Sequence, residues 1–168
     1  MVTVADSSSM PGAIRVRPFD TADRPFYRAI VGRLQDADAT PTRDPAVMAD
    51  YFRRRANGEV EDPPGTETFV AIGPDDAPLG ILTLTPSTDY FTGHGRAHVE
   101  ILVVSAEAEG TGAGRALMAH AETWARSRGL TEIALDVFAG NARARAFYER
   151  LGFRPDHLRL VRALDRSP

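Results

Sequence analysis

The sequence predicts a mixed sheet of the α/β or α+β class, covered by helices on both faces. Three observations carry that expectation. Short alternating or apolar segments recur from Ile14 onward. Amphipathic helical stretches stand between those segments instead of following them as a block. A glycine-rich turn, Gly110-Thr111-Gly112-Ala113-Gly114, sits between one strand segment and one long helix.

The elements follow in order. Ile14, Val16 and Pro18 begin a strand, and Asp20, Thr21 or Asp23 can cap a helix with Pro25 in its first turn. Phe26, Tyr27, Ile30, Val31 and Leu34 share one face of that helix. A second helix starts near Asp44-Pro45, is expected to bury Val47, Met48, Tyr51 and Phe52, and ends at Asn57-Gly58. Glu59 to Glu67 carries Pro63-Pro64-Gly65 and reads as loop. Thr68–Ile72 and Leu79–Thr85 form a hairpin about Gly73-Pro74-Asp75-Asp76, and a loop from Pro86 to Gly95 leads to a fourth strand, Ala97–Val104. After the glycine turn, Leu117, Met118, Ala121, Trp124 and Ala125 give the third helix its apolar stripe, and Gly129 stops it. A strand with Ile133, Leu135 and Val137, a helix from Asn141 to Leu151, and strand material at Phe153 and Leu158–Leu164 complete the chain.

Neither repeat nor linker divides the sequence, so residues 13–168 are expected to form one domain. Met1 to Gly12 contains three serines and no apolar core. It reads as a flexible tail, not a secretory signal, and the expected location is cytoplasmic. The chain has no cysteine, which excludes disulfides, thiolate metal sites and a cysteine nucleophile. A formal net charge of -3 disfavours nucleic acid or an anionic membrane as partner, since both reward a basic face. Arg53-Arg54-Arg55 reads as a solvated helix face. His94 and His98 are four apart but on a loop and a strand, so no metal pair is expected.

A glycine turn feeding a helix N-terminus offers several backbone N–H groups and a partial positive charge to one point. Phosphates bind there, and glycine lets the backbone approach closely. The turn lacks the Gly-Lys-Ser/Thr ending of a nucleotide loop. Its Gly-x-Gly-x-Gly spacing after a fourth strand does not suit a dinucleotide fold. A flexible turn that binds nothing is the plainer alternative.

Val99-Glu100-Ile101-Leu102-Val103-Val104 resembles the central strand of the GNAT acetyltransferases, and Glu109-Gly110-Thr111-Gly112-Ala113-Gly114 resembles their pyrophosphate loop. The stretch Asn141-Ala142-Arg143-Ala144-Arg145-Ala146-Phe147-Tyr148-Glu149-Arg150-Leu151-Gly152-Phe153 is similar to the family's second signature. The two motifs stand in the family's order. Glu109 is a departure, because the family usually has Arg or Gln there; Arg115 could compensate.

The resemblance implies acetyl-CoA as co-substrate, with no metal, held where parallel strands four and five splay apart. The pantetheine arm would pair with backbone at Leu102, Val103 and Val104, and the pyrophosphate would rest on Glu109, Gly110, Thr111, Gly112, Ala113, Gly114 and Arg115. Asn141, Ala144, Phe147 and Tyr148 would complete the cofactor site. The implied activity is transfer of acetyl to a primary amine of a small molecule or peptide. A catalytically silent acyl-CoA-binding sensor is the alternative. Family members often dimerise, so a homodimer is also implied. The first two helices and the Pro86–Gly95 loop, with Tyr90 and Phe91, should wall the acceptor pocket.

With no cysteine, the simplest scheme is direct amine attack in a ternary complex. Tyr148 occupies the position where the family places a proton donor near the thioester sulfur, though with Ala144, Phe147 and Leu151 it could be core alone. Glu100 is the candidate base, a carboxylate in a strand otherwise rich in Val, Ile and Leu. His98, two residues earlier on the same face of a regular strand, is the rival base or a water relay. Either could merely satisfy polar neighbours.

Overall fold

The computed structural model describes residues 13–35, 43–162 and 164. The tail expected at Met1–Gly12 lies outside them. Five strands form one sheet: β1 (Arg15–Pro18), β2 (Glu67–Ile72), β3 (Pro78–Thr88), β4 (Gly95–Val104) and β5 (Glu132–Leu135), in that spatial order. Neighbours are antiparallel except β4 and β5, which run parallel. The helices are α1 (Arg24–Val31), α2 (Pro45–Asn57), α3 (Ala113–Ser127) and α4 (Ala142–Arg150). Among the described residues, no helix is long and apolar enough to cross a membrane.

Local chemistry sets the helix ends. The Asp20 side chain accepts from Ala22 N at 2.9 Å, while Asp23 accepts from Asp20 N at 2.8 Å. This reciprocal cap opens a 3-10 turn that leads directly into α1. Arg17 clamps the Asp23 carboxylate with both terminal nitrogens at 2.7 Å, joining β1 to the helix start. Asp44 caps α2 and Asn141 caps α4, each through its side-chain oxygen. Gly58 closes α2 in the left-handed conformation, at φ 75°.

The sheet buries both faces. Tyr27, Ile30 and Val31 of α1 pack on Val70, Ile72, Ile81, Ile101 and Val103. Leu117, Met118 and Trp124 of α3 pack on Phe69, Leu82, Leu84, Ala97 and Val99. In a regular strand Val99 and Ile101 would share a face. They do not, because Thr83 pairs with Ile101 but Leu84 pairs with Val99. Glu100 is therefore the extra residue of a β-bulge, and β4 changes faces there. His98, between Ala97 and Val99, points to the opposite face, the α1 side.

Several expectations are corrected. Phe153 packs on the α3-side cluster without joining a strand, and no strand forms after β5 among the described residues. Leu158 and Leu160 are 82% and 91% exposed. Their alternation is strand-like, but a strand exists only with a pairing neighbour, and Pro155 also lacks a donor N–H. Val137 lies beyond the end of β5 and is exposed. On α2, Val47 is 66% exposed and Tyr51 is exposed too, while Arg55 and Ala56 are the buried residues. Arg55 leaves the expected solvated arginine run because Asp62 pairs with it at 2.7 Å, and Tyr51 Oη accepts from it at 3.1 Å.

Candidate functional site

Strand β4 continues to Val104, but its pairing with β5 ends at Val99 opposite Leu135. Residues Glu100–Val104 thus have β3 on one side and no strand on the other. Alternate residues of a strand aim their backbone polar groups at opposite neighbours. Ser105 N donates to Leu79 O, which makes Ile81 and Val103 the next bonded pair, so Val103 faces β3, against expectation, and the open strand edge is at Leu102 and Val104. The Val104 carbonyl is already engaged, accepting from Arg33 Nε at 3.0 Å.

The end of β4, the first turn of α3 and helix α4 converge at this edge. Leu102, Val104, Leu135, Phe147 and Tyr148 all pack against the α3-side cluster. A Cβ built on Gly114 would lie 3.2 Å from Phe147 Cζ and 3.7 Å from Val104 Cγ2. At Gly110 and Gly112, by contrast, a Cβ would meet nothing within 4 Å. Those glycines are in the left-handed region, at φ 75° and 96°, and leave the mouth of the turn open.

Gly112 opens α3 without a side-chain cap. The first intrahelical bond runs from Ala116 N to Gly112 O, so Gly114 and Arg115 offer N–H groups with no helical acceptor. Thr111 braces the turn by donating to Ala108 O at 2.7 Å. Ala113 is buried and Arg115 is exposed. An uncapped helix start, open glycines and an unpaired strand edge together fit the diphosphate and the amide-bearing arm of a coenzyme A thioester.

Glu109, the residue before the glycines, is bracketed by two cations. Arg33 pairs with one oxygen and Arg143 Nη2 with the other at 2.6 Å. The hydrogen bond from Arg143, foremost among several causes, holds the carboxyl below its usual range. Arg115 is not its partner. The sequence alone does not single out Arg33 or Arg143. The Asn141 signature contained Arg143, and an acidic residue at 109 called for a counter-charge. Nothing in sequence pointed to Arg33, which is 76 positions away.

Tyr148 is half-buried, edge-on to Phe147 at 5.2 Å and to Phe153 at 5.6 Å. Burial pushes its phenol up to about 12, with no other cause opposing it. Glu100 is half-buried at the bulge. His98 is half-buried, with Nε2 3.9 Å from Asp136. Asn141 Oδ1 accepts from Ala144 N at 2.9 Å, which commits that oxygen to the α4 cap.

Tyr90 and Phe91 stand almost fully exposed on the β3–β4 turn, packed edge-on at 5.2 Å. Asp89 holds that turn by accepting from Phe91 N, Thr92 N and Thr92 Oγ1. A shallow depression of about 400 Å³ between α1 and α2, lined by Val31, Gly32 and Phe52, touches none of the β4, β5 or glycine-turn residues. Among the described residues, no three His, Asp or Glu side chains gather as a metal set.

Residues 20–153 match the sequence model of the Acetyltransferase (GNAT) family. The chain belongs to that family. Streptothricin acetyltransferase of Streptomyces lavendulae is 38% identical over 98 residues, which cover 58% of this chain and 48% of that protein. The chain thus spans about half the length of this relative. Aminoglycoside N(6′)-acetyltransferase type 1 of Klebsiella aerogenes is 29% identical over 140 residues, covering 82% of this GNAT chain and 88% of its own. The solved structure of AAC(6′)-Iy with the bisubstrate analogue CoA-S-monomethyl-acetylneamine superposes with a TM-score of 0.63 at 20% identity, covering 92% and 99% of the two chains. That likeness concerns the fold.

Proposed function

We propose that this GNAT chain is an acetyl-CoA-dependent N-acetyltransferase that acetylates a primary amine of a small molecule or peptide by direct attack in a ternary complex. The observation that carries the reading is the β4 edge left unpaired beyond Val99, leading into an uncapped glycine turn at the start of α3. When bound, acetyl-CoA supplies the acyl group activated as a thioester.

The chain's own residues supply the rest. Leu102 and the Val104 N–H offer backbone groups to the amide-bearing arm, and one of these N–H groups flanking Val103 steadies negative charge developing on the acyl oxygen. The N–H groups of Gly110, Gly112, Gly114 and Arg115 receive the diphosphate. Tyr148, kept protonated by burial, donates a hydrogen bond to the leaving sulfur. Glu100 accepts the amine's proton directly or through water, and His98 is the rival base. An alkyl ammonium loses its proton near pKa ~10, so one of these groups or bulk water must take it. The aminoglycoside relative is named for N-acetylation, which supports a small-molecule amine as acceptor.

Calorimetric titration with acetyl-CoA, with NAD and ATP as controls, tests the reading, followed by thiol release with aminoglycosides, polyamines, amino acids and peptides. Saturable binding of acetyl-CoA and turnover on an amine support it. Binding without turnover on any amine would make the chain an acyl-CoA sensor, and no binding of any acyl-CoA would overturn both.

A further inference from the structure

The family departure in the glycine turn, Glu109, is held by two cations at once. Glu109 lies in the loop that carries β4 into α3. Arg143 lies one residue inside α4, which follows β5. Their 2.6 Å contact therefore joins the two chain segments that leave the splayed strands. Arg33, in the 3-10 turn that follows α1, holds the same carboxylate while its Nε is fixed on the Val104 carbonyl.

The two arginines are not equivalent. Arg33 is tied at two points and its side chain is 30% exposed, whereas the Arg143 side chain is 72% exposed and has Glu109 as its ion-pair partner. Arg143 can exchange that partner without disturbing the fold, and Arg33 would keep Glu109 neutralised when it does. Two guanidiniums against one carboxylate leave a net positive charge beside the open Gly110 and Gly112. Diphosphate carries more charge than one carboxylate and presents paired acceptor oxygens to a guanidinium fork.

We propose that Arg143 is a ligand of the acyl-CoA diphosphate and that Glu109 holds this guanidinium in place until the diphosphate takes it over, with Arg33 as the positioning residue that remains on Glu109. The assignment rests on the acetyl-CoA reading above. It turns an unfavourable acidic residue into a placeholder: the guanidinium is ordered at the turn before the ligand arrives.

The test is calorimetric titration of wild type, E109Q, R143Q and the double variant with acetyl-CoA, 3′-dephospho acetyl-CoA and S-acetylpantetheine. Because exposed ion pairs are weak, the effects are modest. E109Q should tighten acetyl-CoA binding by about two- to five-fold, since the competing carboxylate is gone. R143Q should weaken it, and the loss should be at least as large in the E109Q background. If Arg143 only screened Glu109, its loss would matter in wild type and vanish in E109Q, which would overturn the assignment. Sensitivity to R143Q should persist with the 3′-dephospho compound and disappear with S-acetylpantetheine, which lacks the diphosphate. A loss confined to compounds with the 3′-phosphate would also overturn it. Wild type that binds no acyl-CoA at all would fail the functional reading itself, while wild-type binding indifferent to R143Q fails this assignment alone. Thermal midpoints of the four proteins should agree closely, because both side chains lie at the surface.

Discussion

Gly114 and Phe147 stand so close that a Cβ on the glycine would lie 3.2 Å from the tip of the phenyl ring. The absence of a side chain lets Phe147 of α4 settle against the first turn of α3. The Gly114→Ala variant trades two effects. Alanine favours the helix by about 0.5–1 kcal/mol, while the ring must shift by a few tenths of an ångström. Net stability in urea should therefore stay within about 1 kcal/mol of wild type. Acetyl-CoA affinity should fall several-fold because the ring moves into the cofactor wall. Calorimetry beside the denaturation curves separates the two, and unchanged affinity would remove Phe147 from the site.

Gly112 poses the opposite case. Space around it is open, but its φ of 96° is strained for any side chain. Gly112→Ala should cost about 1 kcal/mol through backbone conformation alone. Gly129 ends α3 with a φ of 69° and equally open surroundings, so Gly129→Ala should cost a similar amount. The affinities should diverge. A valine at 112 blocks the diphosphate and should weaken acetyl-CoA binding by more than about ten-fold, whereas the Gly129 variant should bind as wild type. Equal affinities in the two variants would show that the turn does not carry the ligand.

Two phenols predict a loss of stability in alkali. Burial raises both Tyr27 and Tyr148 to about 12, with Arg55 opposing part of the effect at Tyr27. An unfolded tyrosine titrates near ~10, so between those values the folded chain holds protons that the unfolded chain has released. Stability is thus fully present below about pH 10 and falls as pH rises toward 12, by on the order of 2 kcal/mol per tyrosine. Tyr27→Phe and Tyr148→Phe should each flatten part of that decline. Urea midpoints at about pH 8 and pH 11 check it, and a variant as alkali-sensitive as wild type would contradict the burial argument.

The β2–β3 hairpin, the glycine turn and the helix caps were readable because they depend on nearby residues. Asp20, Asp44 and Asn141 each cap a helix within three positions of themselves, and Gly58 and Gly129 stop helices by local conformation. What escaped was set at long range. The bulge at Glu100 is a register property of two strands, visible only when Thr83 and Leu84 are matched to their partners. Periodicity suggested that Val47 and Tyr51 were core, but α2 meets the sheet side through its last turn, at Arg55 and Ala56. The Leu158–Leu160 alternation likewise suggested a strand for which no described neighbour exists. At the site, the backbone edge was implied by motif, whereas the counter-charges on Glu109 came from elements that no spacing rule connects.

Tyr148 offers the sharpest separation of chemistry from packing. Its ring packs between Phe147 and Phe153, and phenylalanine would keep both contacts. The Tyr148→Phe variant should therefore fold with wild-type stability at neutral pH and bind acetyl-CoA within about two-fold of wild type. Its turnover should fall on the order of 10²-fold, the usual worth of a positioned proton donor. The rate should show no alkaline limb from this phenol below about pH 11, since its proton is held to about 12. Glu100→Gln should instead lower turnover at neutral pH and recover part of it as pH rises, because more of the amine is then already deprotonated. Should His98→Asn show that recovery while Glu100→Gln does not, the base is the histidine. Should neither variant slow the reaction, water takes the proton and the bulge at Glu100 serves the shape of the cleft.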